Sequence, residues 1–157
     1  RPIRDVIIHH AHADRIGGAG EARRRGAHVH ALARTIAHAR QRGQVVPDVT
    51  EPERAQLTIG GVELDLFYPG PGHTDDNLVV YLPATRILYG GCFLKSSTAR
   101  DLGNIADADL VAWPSSLRLV SAHVPGPAIV VPGHGPLGGD PIEHTAALLR
   151  RRVTPAH

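Results

Sequence analysis

Six side chains in this sequence are of the kinds that hold transition metals. His10, His12 and Asp14 lie in the run HHAHADRIGG, His73 in PGPGHTDDN, Cys92 in LYGGCFLKS and His134 in VPGHGPLGG. Three imidazoles make one usual zinc set, and a carboxylate, a thiolate and an imidazole make another. His10 and His12 stand two apart after an apolar run, and in extended chain such residues point to the same side. Both imidazoles therefore reach one metal, and Asp14 swings past it towards a neighbouring one once the loop turns. His9 falls out of this frame and points the other way. His73 follows Pro-Gly-Pro-Gly, a rigid turn that fixes its direction. Cys92, the single cysteine, is a buried hydrophobe, a reactive thiol or a ligand.

Three protein ligands per metal leave coordination positions open, which marks catalysis rather than structure. Two such zincs can share a water that loses its proton near neutral pH. The product is a hydroxide aimed at an electrophile, so the reaction class is hydrolysis. Two more residues fit substrate handling. Lys95 either fixes an anionic group or is a solvated surface lysine. Asn104 either supplies an amide N–H to a developing oxyanion or serves as a turn or cap residue.

The elements that must position these groups are short. Strands are expected over 5–9, 28–30, 55–59, 62–67, 78–82, 87–89 and 128–131. Gly60-Gly61 joins two of them as a hairpin. Helices are expected over 20–25, 31–42, 109–123 and 141–152. Pro114 suits a first turn, so the third of these begins near Trp113. Segments 10–18, 44–54 and 92–103 read as loops. Each metal-ligand segment follows an apolar run and opens a Gly- or Pro-rich turn, where loops present functional groups on a rigid scaffold. Strands and helices together predict a sheet covered by helices.

Bulk properties narrow the field. The 157 residues make one domain, 1–157, with 42% hydrophobic and 20% charged residues and a net charge of +2. Aromatics are 4%, too few for base-stacking platforms, so nucleic-acid binding is not expected. No apolar run is long enough to span a bilayer. The chain opens within a strand and reads as beginning in the middle of something.

On these segments the chain resembles the class B metallo-β-lactamases, in the subclass whose second zinc is held by Asp, Cys and His. HAHADRIGG, FYPGPGHTDDNLVVYLP, ILYGGCFLKSS, GNIADADLVAWPSSL and VPGHGPLGG carry the resemblance in order. It implies an α/β fold, the αββα sandwich, here as a C-terminal portion with the N-terminal sheet portion missing. It implies two Zn2+ per chain, one on His10, His12 and His73, the other on Asp14, Cys92 and His134. A bridging hydroxide would open the β-lactam ring. Asp14 and Asn104 are implied as catalytic, and Lys95 and Asn104 as substrate-binding. Arg15 would brace the metal loop close to Cys92. Penicillins, cephalosporins and carbapenems are the implied substrates, the periplasm the implied home, and antibiotic resistance the implied outcome. An apolar sheet face left uncovered is expected to favour self-association. Two other readings stand beside this one: a related thioester or lactone hydrolase, and a zinc-binding remnant without activity.

Overall fold

The computed structural model describes residues 2–153. β1 (Asp5–Ile8), β2 (His28–Leu32) and β3 (Val49–Glu51) form a parallel three-stranded sheet in that order. Parallel strands need crossovers, and the chain supplies α1 (Ala13–Ile16), α2 (Ala19–Arg24) and α3 (Ala33–Gln41). A second sheet runs β4 (Arg54–Ile59), β5 (Val62–Phe67), β6 (Val79–Leu82), β7 (Ile87–Gly91) and β8 (Ile129–Pro132). It is antiparallel except for β7 with β8. α4 (Trp113–His123) precedes β8 and α5 (Pro141–Val153) follows it.

Three apolar clusters set the layering. Ile8, Ile16, Ala19, Val29, Ile36 and Ala39 join α1–α3 to the first sheet. Leu32, Leu66, Leu78 and Val80, with Ile7 and Leu57 against them, fill the space between the sheets. Leu88, Phe93, Trp113, Leu117, Val120 and Leu149 join the second sheet to α4 and α5. The order is helix, sheet, sheet, helix, the expected αββα sandwich. Trp113 is fully buried, and its indole N–H donates to Phe93 O at 3.2 Å. Such a ring is worth about 3–5 kcal/mol against truncation to alanine.

Local signals place most elements within two residues. Gly60 and Gly61 both have positive φ, 59° and 83°, the twist a two-residue hairpin needs. Two expectations fail. Segment 44–54 contains β3, three residues between Pro47 and Pro52 that hydrogen-bond to β2. A strand that short is made by its partner, not by its own sequence. The expected loop 10–18 contains the single turn α1, so Asp14 and Arg15 sit on helical backbone. On the second sheet, Ala55, Leu57 and Leu64 are only half-buried, so the apolar side of β4 and β5 is partly uncovered.

Candidate metal centre

The first ligand trio is built where the two sheets meet. At the end of β1, the His9 carbonyl accepts from Leu78 N–H at 2.9 Å, fastening the first sheet to the start of β6. The buried Asp76 carboxylate accepts from Ala11 N–H at 3.0 Å. His10 and His12 flank that residue. Asn77 holds the turn that carries His73: its Oδ1 accepts from Thr74 N–H, while Nδ2 donates to Thr74 O. The run His-Thr-Asp-Asp-Asn therefore locks both sides of the trio. One ligand atom each from His10, His12 and His73 lies within 4.8 Å of the others. The rings are nearly perpendicular in pairs, at 80–90°, with centroids 4.6–5.1 Å apart.

The electrostatics favour neutral rings with open lone pairs. Burial, then the neighbouring His9, His73 and His12, holds His10 far below the ordinary imidazole range. Burial, then Lys95, pushes His73 down to about 3. His12 Nε2 is engaged by Asp107 at 2.9 Å, which leaves Nδ1 for a metal. His10 Nε2 and His73 Nδ1 are buried with no hydrogen-bond partner among the described residues. Buried polar atoms are rarely left so, because desolvation is costly. A cation among the three rings would satisfy an orphaned nitrogen of this kind, so the residues fit a metal.

The second trio takes one residue from each of three elements. Asp14 comes from α1, Cys92 from the end of β7 and His134 from the turn after β8. Their ligand atoms also lie within 4.8 Å of one another. Gly133 packs against Cys92, and a Cβ there would stand 2.6 Å from the sulfur. Arg15 ties the trio together. Its guanidinium pairs with Asp14 at 3.0 Å, donates to Gly133 O at 2.6 Å and contacts His134 Nε2 at 2.8 Å. His134 Nε2 also meets Asp14 at 3.1 Å. Burial raises the Cys92 thiol, and Arg15 beside it opposes that rise. This trio is open to solvent: His134 and Asp14 are exposed, and only Cys92 is buried.

Beside Cys92 and His134 lies a hollow of about 250 Å³, lined by Lys95, Ser96, Arg100 and Gly103 among others. Lys95 Nζ sits 5.4 Å above the Trp113 ring, and its backbone N–H donates to Thr145. Asn104 is exposed, and its Oδ1 accepts from Ala106 N–H at 3.1 Å. This is the turn role weighed for it, and it leaves Nδ2 as the free donor. Asp107, three residues beyond Asn104, also pairs with Arg42 at 2.8 Å. Nothing in the sequence marked Asp107 as His12's partner, because the contact spans 95 residues.

His9 corrects an expectation. It does not point away from the site. It is 4% exposed, and its Nδ1 lies 2.9 Å from His10 Nδ1. β1 ends at Ile8, so the two-residue alternation stops applying at the histidine pair.

Comparison with known proteins places the chain in a family. The profile of the metallo-beta-lactamase superfamily matches residues 1–134. A type 2 metallo-beta-lactamase from Bacteroides fragilis is 42% identical over 152 residues, 96% of this chain and 61% of that protein. A metallo-beta-lactamase structure from Pontibacter korlensis superposes with a TM-score of 0.92 at 40% identity, covering 96% of this chain and 70% of that one. The metallo-beta-lactamase FIM-1 from Pseudomonas aeruginosa, solved in a mono-zinc form, has a TM-score of 0.89 at 34% identity. It covers 99% of this chain and 70% of that one. The chain spans about six tenths of the length of the curated relatives it matches.

Proposed function

This chain belongs to the metallo-beta-lactamase superfamily, and from that we propose that it hydrolyses the amide bond of β-lactams with two zinc ions. The carrying observation is the pair of ligand trios, one of them with buried, unpartnered imidazole nitrogens. His10, His12 and His73 would hold one zinc, and Asp14, Cys92 and His134 the other. Zinc at such sites supplies an activated water and polarises a carbonyl. FIM-1, a relative known with one zinc, supports the choice of metal.

The chain's own side chains do the rest. Lys95, lining the hollow beside the second trio, pairs with the carboxylate that β-lactams carry. Asn104 Nδ2, left free by its turn, donates to the carbonyl oxygen as charge develops there. Asp14 combines its metal role with a second contact, to the Arg15 guanidinium, which fixes its orientation. Addition of water breaks the ring C–N bond, with OH on carbon and H on nitrogen. The hollow accepts the substrate from the side where His134 is exposed.

The reading extends to a single domain over 1–157, a periplasmic setting, and self-association through the half-covered side of β4 and β5. Size-exclusion chromatography tests the last of these. The function itself is tested by zinc content measured alongside turnover of a chromogenic cephalosporin, with and without chelator. Two zincs and chelator-sensitive turnover are expected. Zinc without turnover would reduce the reading to metal binding, and turnover of a thioester alone would change the substrate class.

A further inference from the structure

We infer that His9 is a positioning residue of the first metal site, accepting the Nδ1 proton of His10 so that His10 presents a bare Nε2 to the metal. The inference rests on the metal reading above. Two Nδ1 atoms 2.9 Å apart require that one donates and the other accepts. The Nε2 atoms of His9 and His10 are both buried without a hydrogen-bond partner among the described residues, but it is His10 that belongs to the three-histidine trio, and its Nε2 must keep its lone pair to bind a cation. Its proton is therefore on Nδ1. His9 then accepts at Nδ1 and carries its own proton on Nε2. Metal-bound imidazoles generally donate their second N–H to a carboxylate, a carbonyl or water. His12 follows that pattern with Asp107. His10 has a neutral imidazole in that place.

The ring of His9 is held firmly enough to set this geometry. Its backbone carbonyl accepts from Leu78 N–H. The Tyr89 ring stands edge-on to it, with centroids 5.5 Å apart. Its third neighbour is Gly91, at φ 54°, where a Cβ would come within 2.5 Å of the imidazole. The glycine leaves the space that the ring occupies. One nitrogen of His9 also lies within 4.8 Å of Cys92 Sγ, so the same ring lies near a ligand of each trio.

The test compares His9→Phe, which keeps a flat ring but cannot accept, with His9→Asn, whose Oδ1 can accept in place of Nδ1. Affinity is read by zinc competition with a chelator, and the first site is followed by cobalt absorption. His9→Phe is expected to lose about 10–100-fold in affinity at the three-histidine site. His9→Asn should recover most of that loss. Parental affinity and an unchanged cobalt spectrum in His9→Phe would overturn the inference while leaving the metal reading intact. Absence of metal from the parent protein would overturn both. Should His9→Phe not fold, nitrogen-15 NMR of the zinc-loaded parent decides. His9 protonated at Nε2 alone supports the inference, and His9 protonated at Nδ1 overturns it.

Discussion

The two trios have the same number of ligands in the same compass, yet their surroundings are opposite. His10, His12 and His73 lie where two sheets meet, mostly buried, with two ring nitrogens unpartnered. Asp14, on α1, and Cys92 and His134, just past strand ends, are mostly exposed, and Asp14 is already paired to His134 and to Arg15. The first trio presents lone pairs prepared by burial, so a metal there replaces nothing. The second satisfies itself with internal ion pairs, and a metal must displace the contact of His134 with Asp14. It must also take the proton from a thiol that burial has pushed up. The first site should therefore bind zinc more tightly, and less sensitively to pH.

The strongest way to break this contrast is His10→Ala. It should weaken the first metal by more than about 100-fold, or about 2.7 kcal/mol, and spare the second. Equal loss of both metals in a titration would show that the trios do not act separately. Cys92→Ser should do the converse, weakening the second metal by about 100-fold because a hydroxyl replaces a thiolate. In the unaltered protein, affinity for the second metal should fall about tenfold per pH unit between pH 8 and 5. Protons compete with metal only below a ligand's own pKa. His73, at about 3, is already neutral throughout that range. Parallel pH slopes at the two sites would sink the contrast. Arg15→Met should loosen the second trio alone, by about tenfold. A change in the cobalt spectrum of the first site would contradict that.

The smallest expected effect sets the buried histidines against His30. His30 lies between Glu51 at 2.7 Å and Asp5 at 3.0 Å. Its pKa is raised: burial works against the charge, but the hydrogen bonds it donates to both carboxylates win. His9 and His73 are lowered to about 3, chiefly by burial. For lowered groups the unfolded chain binds protons first, near pH 6.5, while the folded chain waits until about pH 3. Their stability contribution is present above 6.5 and is lost as pH falls towards 3. For His30 the sign reverses: its contribution is present below 6.5 and is lost as pH rises through its raised pKa. Chelator-treated protein should therefore melt a few degrees lower at pH 5 than at pH 7. In His30→Gln the drop should be larger, because the opposing contribution is gone. A higher melting temperature at pH 5 in the unaltered protein would refute this balance.

Much of the molecule was legible in residue order. The Gly60-Gly61 hairpin, the start of α4 at Trp113 and the Gly-framed turns at His73, Cys92 and His134 follow from backbone preferences that act over a few residues. These motifs also named the six metal-type side chains. β3 was not legible, because Val49–Glu51 is a strand only through its bonds to β2. Asp107 was hidden for the same reason, paired with His12 across 95 residues. His9 misled because strand alternation was carried one residue past the end of the strand. Sequence by itself determined which ligands exist and which turns present them, since both are local chemistry. Tertiary structure alone decided which are buried, what braces them and which nitrogen each imidazole leaves free. Those depend on where two sheets meet, a distance that no local preference encodes.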